Sequence, residues 1–297
     1  MALRNIYMPD SIPYGANIGY DNRVVIKTFP DGENAVSIPM ISPDDEICLI
    51  GECSSAAASE LFLAAAYEIA SQGPHRFSVI NTYFRHARSE RVDGEFAALA
   101  KFQARQWSGL GNVFPGVRLY FVELHKDLVL HYFEGPVVTK NLIYRPLLER
   151  AIRSTRMDQP VHPLVYATVD DGGVYEAKKL ADAACVGFAH IEKKRLSGSE
   201  TKILNVLGDN VNGCNVVIFD DMIATGGSMI KAAQAFKDRG ALTVRCAATH
   251  GVFVGNAVEK FRKSCIDQII VTDSHPNARK AAELAPALIQ VKTLHPM

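Results

Sequence analysis

Asn215–Met229 reads NVVIFDDMIATGGSM. Val216–Phe219 is apolar at four consecutive positions, the signature of a strand buried on both faces of a parallel sheet. Two carboxylates, Asp220 and Asp221, end that strand, ATGG turns the chain, and Ser228 opens an amphipathic helix. Gly226 and Gly227 permit a tight turn with exposed backbone amides. The helix that follows adds unpaired N–H groups and a partial positive charge. A phosphate suits that cradle, with the Thr225 and Ser228 hydroxyls as further donors. The aspartates repel a phosphate but accept hydrogen bonds from vicinal sugar hydroxyls. A ribose carrying a 5-phosphoryl group meets both demands; a helix cap with solvent-facing acids is the plainer alternative.

Working outward, the same alternation of apolar runs and helical patterns recurs along most of the chain. RVVIKTF, EICLIGE, RFSVINTYF and RLYFVEL read as strands in the first half, LVYATVD, VGFAHIEKK, TVRCAATHG and QIIVTD in the second. Helical spacing covers 57–71, 95–109, 174–184 and 228–239. Strands of near-continuous apolar character separated by helices predict an α/β protein with parallel sheets covered on both faces. The boundary is placed after Leu142, near a helix over 144–154. Two domains are therefore expected, 1–143 and 144–297, with the last residues able to pack back on the first. KKRLSGSET, Lys193–Thr201, is polar with a small-residue tip and reads as a mobile loop.

Composition excludes several classes. With 297 residues, 48% hydrophobic and 22% charged, the chain buries a sizeable core. Lys plus Arg and Asp plus Glu both total 32, so no global field draws nucleic acid or an acidic membrane. The six cysteines form no CxxC pair and read as buried free thiols in a reducing compartment. LFLAAAYEIA is too short to span a bilayer, and MALRNIYMPDS lacks the pattern of a signal peptide. A cytoplasmic location is expected.

The 215–229 segment resembles the ribose-phosphate loop of type I phosphoribosyltransferases and of the phosphoribosyl pyrophosphate (PRPP) synthetases. FPDGE (29–33), YFRHARSER (83–91), ELHKDLVLHYFEGPV (123–137), VDDGGVYEAKKLA (169–181), IEKKR (191–195) and ATHGVFVGNAVEKF (248–261) resemble further synthetase segments in collinear order. The chain is thus similar to a divergent synthetase with two phosphoribosyltransferase-like domains, each a mainly parallel sheet flanked by helices. That resemblance implies transfer of the β,γ-diphosphoryl group of ATP to the anomeric hydroxyl of ribose 5-phosphate, with Mg²⁺, in a homo-oligomer. It implies catalytic roles for Lys193 and Arg195 and metal contacts for His125 and Asp170. ATP would be held by Phe29, Asp31, Glu33, Arg88, Ser89 and Glu90. Asp220, Asp221, Ala224, Thr225, Gly226, Gly227 and Ser228 would hold the ribose phosphate.

Several positions depart from the family pattern. Ala224 stands where an acid is usual, Gly226 where alanine is, Asp171 where histidine is common, and Ser89–Glu90 where Gln-Asp is. Arg85 and His86 replace a small and an aromatic residue. Losing the acid beside the phosphate cradle admits a larger 5-substituent, such as ADP-ribose, as acceptor. A base phosphoribosyltransferase shares the 220–228 motif but leaves FPDGE and the Lys193 segment unexplained. A non-catalytic protein that assembles with active synthetases is the third reading.

Overall fold

The computed structural model describes residues 3–13, 16, 18–91, 97–153, 162–169, 171–197 and 200–294; the side chains of 171, 193–197 and 200–204 are outside that description. The chain divides into two compact units. One runs to Ile143 and includes Ser274–Pro276; the other comprises Tyr144–Asp273 and the residues from Asn277.

The first unit is built on a five-stranded parallel sheet of β1 (Leu3–Tyr7), β4 (Glu46–Gly51), β5 (Arg76–Asn81), β6 (Val117–Val122) and β7 (Val137–Leu142), in the order β1-β4-β5-β6-β7. A separate antiparallel pair, β2 (Val25–Thr28) and β3 (Asn34–Ser37), forms a hairpin. RVVIKTF is a strand, as expected, but it lies in this antiparallel pair and not in the parallel sheet, and three of its four strand residues are exposed. Helices α1 (Ala56–Ser71), α2 (Leu99–Ser108) and the short α3 (Leu110–Val113) follow β4 and β5. Ser55 caps α1 by accepting the Ala58 N–H at 3.0 Å. Leu49, Val79 and Phe121 from the strands and Phe62, Ile69 and Trp107 from the helices form one buried core.

The second unit carries a seven-stranded sheet of β8 (Leu164–Thr168), β9 (Gly187–Ser197), β10 (Glu200–Gly208), β11 (Asn215–Ile223), β12 (Thr243–Gly251), β13 (Gln268–Thr272) and β14 (Ile289–Lys292). Their order is β10-β9-β8-β11-β12-β13-β14, parallel except for the antiparallel β9–β10 pair. Helices α4 (Arg145–Arg153), α5 (Val174–Ala184), α6 (Gly227–Lys237), α7 (Ala257–Arg262) and α8 (Pro276–Leu284) complete the unit. The apolar run of β11 serves two cores at once. Val216 and Ile218 pack with Ala233 and Phe236 of α6, whereas Val217 and Phe219 pack with Leu148 and Ile152 of α4. Period-two alternation between two covered faces explains why the run has no polar interruption.

Two expectations are corrected here. Within Lys193–Thr201, the described residues 193–197 and 200–201 are strand and not loop. β9 reaches Ser197, and Lys193 and Arg195 pair in register with Ile203 and Thr201 of β10. Polar side chains suggested a loop, but the backbone groups of this segment are satisfied by a neighbouring strand. The cysteines are free, as expected, yet only Cys48, Cys53, Cys214 and Cys246 are buried. Cys185 is exposed at the C-cap of α5, in the left-handed region at φ 55°. Burial pushes the Cys48 and Cys53 thiols up to about 12, so both stay protonated at neutral pH. Among the described residues no helix is long and apolar enough to cross a membrane.

Candidate active site

β11 runs through both acids and ends at Ile223, two residues later than the sequence suggested. Asp220 is half-buried, Asp221 is 8% exposed, and the Asp221 N–H donates to the Asp220 carboxylate at 2.9 Å. The turn is consequently short, Ala224–Gly226, and Gly227 already begins α6. Gly226 is the N-cap, left-handed at φ 76°, and offers no side chain to the first turn. The first intrahelical bond comes from Ile230 N–H to Gly226 O at 3.0 Å. The amides of Gly227, Ser228 and Met229 thus have no acceptor within the helix, which leaves an anion cradle at its tip. Thr225 and Ser228 are exposed beside it.

The neighbouring strands bring further candidate residues to the same edge of the sheet. Thr168, the last residue of β8, is level with Phe219, so β8 stops one residue short of Asp220 while β11 continues to Ile223. Asp170, two residues beyond, lies outside the described residues. β9 runs parallel to β8 with His190 level with Thr168, so Lys193 stands three residues past the end of β8. At about 3.3 Å per residue Lys193 stands roughly 10 Å beyond the end of β8, level with the last residues of β11. Open parallel sheets bind ligands at the carboxyl ends of their strands, and this edge is where the aspartates, the turn and the basic segment converge.

In the first unit, Phe29–Glu33 is the tip of the β2–β3 hairpin. Phe29 N–H donates to Glu33 O at 2.8 Å, Gly32 N–H to Phe29 O at 2.9 Å, and Glu33 N–H to the Asp31 carboxylate at 3.1 Å. Phe29 is 39% exposed, and the Lys27 ammonium lies 5.0 Å from its ring centroid. Arg88 is exposed. Ser89 is partly committed to the fold: its hydroxyl donates to Ala97 O at 3.2 Å and its carbonyl accepts the Ala100 N–H at 3.2 Å. Glu90 is half-buried, and its carbonyl accepts from the Tyr132 hydroxyl. His125 is half-buried just past the end of β6, after Glu123 in the left-handed region at φ 47°.

Sequence reading passed over Glu52, directly after β4. It is 4% exposed and accepts from the Ser54 N–H. Burial raises its pKa, and the Ser54 hydrogen bond opposes the rise. A carboxyl raised on folding adds stability below its ordinary value of 4.5 and loses it as pH climbs through the raised value. Glu52→Gln removes that dependence. The melting temperature of the wild type, relative to the variant, is expected to fall between pH 4 and pH 7. A difference constant across melts in that range would refute the assignment.

A family model described as phosphoribosyl synthetase-associated domain matches residues 183–293. The chain is 34% identical over 256 residues to a ribose-phosphate pyrophosphokinase of Vibrio parahaemolyticus, covering 84% of this chain and 77% of that protein. It is 31% identical over 281 residues to the ribose-phosphate pyrophosphokinase of Helicobacter hepaticus, covering 91% and 86%. In fold it is similar to the crystal structure of phosphoribosylpyrophosphate synthetase from Mycobacterium smegmatis. That match has a TM-score of 0.74 at 24% identity, over 91% of this chain and 85% of that one. Two α/β units, each a mainly parallel sheet flanked by helices, define the fold class. Within that class the chain belongs to the ribose-phosphate pyrophosphokinase family.

Proposed function

We propose that the protein transfers the β,γ-diphosphoryl group of ATP to the anomeric hydroxyl of ribose 5-phosphate, giving PRPP and AMP. The observation that carries this reading is the uncapped tip of α6 set directly after the Asp220–Asp221 pair. The amides of Gly227 and Ser228, with the Thr225 and Ser228 hydroxyls, hold the 5-phosphate. Asp220 and Asp221 accept from the ribose hydroxyls and fix the anomeric oxygen for attack at the β-phosphorus. Lys193 and Arg195 stabilise charge on the transferring group and on the departing AMP. Phe29 stacks on adenine, Asp31 and Glu33 hydrogen-bond it, and Arg88 pairs with phosphate. Ser89 and Glu90 border that nucleotide site. A second subunit is expected to complete it, making the working protein a homo-oligomer.

Mg²⁺ carried on a triphosphate takes mainly oxygen ligands, keeps several waters and needs only one or two protein groups. His125, half-buried at a strand end, and Asp170 are the residues assigned to it. When bound, the ion supplies charge neutralisation of the phosphates.

Incubation with ATP, Mg²⁺ and ribose 5-phosphate, followed by phosphorus NMR, is expected to show PRPP and AMP. Absence of both products would reject the reading. The same incubation with ADP-ribose tests the larger acceptor, which the uncharged Ala224 at the turn favours. Asp220→Ala removes a charged acceptor from the sugar. It is expected to raise the KM for ribose 5-phosphate about tenfold or more, with little change for ATP. An unchanged acceptor KM would remove Asp220 from the sugar site.

A further inference from the structure

The turn that begins the phosphate cradle is built against two phenylalanines whose rings lie flush on glycines. A Cβ on Gly226 would stand 2.4 Å from Cζ and 2.6 Å from Cε2 of Phe261, closer than real side chains approach. Phe261, on α7, is fully buried, and Phe253 meets it edge to face with centroids 6.2 Å apart. Phe253 is itself 7% exposed and left-handed at φ 38°. Its ring lies over Gly251, where a Cβ would be 2.7 Å from Cε2. The backbone around Phe253 clasps the start of the same turn. Val252 and Phe253 N–H both donate to Ile223 O at 3.0 Å, and Val254 N–H donates to Ala224 O at 3.1 Å.

We infer that Phe261, braced by Phe253, is a positioning residue for the acceptor's phosphate. The inference rests on the assignment of 224–228 as the ribose-phosphate loop. At Gly226 an alanine methyl and the Phe261 ring would claim the same space. The two residues are therefore a matched pair: the ring supports the turn from below, and the glycine lets it. Left-handed backbone at Gly226 aims the following amides out of the helix tip, so the height of the ring sets where the phosphate rests. Strain at a buried non-glycine residue such as Phe253 persists only where its surroundings hold it, and here they hold the turn.

A double-variant cycle tests the pairing, with Gly226→Ala, Phe261→Leu and the two combined. Gly226→Ala is expected to raise the KM for ribose 5-phosphate about tenfold or more, since a shift near 1 Å can cost ~10²-fold. The KM for ATP should stay within about twofold. Phe261→Leu alone raises the acceptor KM by a smaller factor. Combined with Gly226→Ala it restores part of the loss, because the ring no longer meets the methyl. Thermal unfolding is followed in parallel. A merely structural role for Phe261 lowers the melting temperature without separating the two KM values, and that result overturns the inference. So does a combined variant whose KM is the product of the single effects. If the combined variant does not fold, Phe253→Leu is read instead, with the same expected split and the same overturning result. Wild-type protein forming no PRPP would count against the functional reading; wild-type activity with KM values shared by every variant would count against the pairing alone.

Discussion

Replacing Lys193 by alanine is expected to lower kcat about 10²–10³-fold while the KM for ATP stays within about twofold. The reaction joins a neutral hydroxyl to the β-phosphorus of a crowded polyanion and expels AMP. Charge accumulates on phosphoryl oxygens as the old bond lengthens, and a cation placed there lowers the barrier most in the transition state. Lys193 stands on the part of β9 that continues past the end of β8, beyond its last pairing with that strand. The proposed reading assigns adenine and phosphate recognition to the Phe29 hairpin and Arg88, so ground-state nucleotide affinity is expected to survive. Steady-state AMP release together with calorimetric ATP binding separates the two quantities. Turnover that persists in Lys193→Ala would refute the catalytic assignment. Absent turnover in the wild type, with nucleotide binding intact, would favour a non-catalytic protein associated with synthetases.

Phe62→Ala is expected to cost the first unit about 3–5 kcal/mol, the range for truncating a fully buried phenylalanine. Phe62 is on α1, is 0% exposed, and packs edge to face on Trp107 of α2 with centroids 4.9 Å apart. Its removal takes apolar area from water-excluded contact and leaves a void among α1, α2 and β4, whose walls relax only in part. Phe62→Leu keeps much of the volume and should lose less than half as much. Denaturant titration followed by Trp107 fluorescence reads this directly, because the chain contains a single tryptophan. A loss under about 1 kcal/mol for the alanine variant would show that the helices collapse into the void.

The legible parts of the fold were the elements with an unambiguous period. β4, β5, β6, β8, β11, β12 and β13 all carry long apolar runs because both faces of each are covered. The missed strands are of another kind. β1, β7 and β14 lie at sheet edges with mixed exposure, and LRNIY, VVTKNL and IQVK have no continuous apolar character. Edge strands have one unpaired backbone side and are less completely covered, so their apolar runs are short and periodicity gives them a weak signal. β10 was obscured differently. Its pairing with β9 is a backbone event, and polar side chains such as those of KKR say nothing about whether main-chain groups have found a partner.

The candidate site divides along the same line. Tandem aspartates before a glycine turn and a helix were readable from residue types alone, because anion cradles and hydroxyl acceptors each demand particular chemistry at particular spacing. Glu52 carries no such local signature; its burial at the end of β4 depends on residues distant in sequence. Phe253 and Phe261 read as ordinary apolar positions of a loop and a helix. Only folding sets their rings against Gly251 and Gly226.

By itself, then, the amino-acid order determined the α/β class, the strand–turn–helix unit at 215–237 and the acids that precede its turn. These follow from short-range rules: side-chain period, glycine freedom and the polarity of a helix end. Tertiary structure decided the strand character of Lys193 and Arg195, the end of the sheet that their strand shares with the strand of the aspartates, and the aromatic support beneath Gly226. Such features arise when segments tens of residues apart compete for the same space and the same hydrogen bonds, and no local window of sequence contains both competitors.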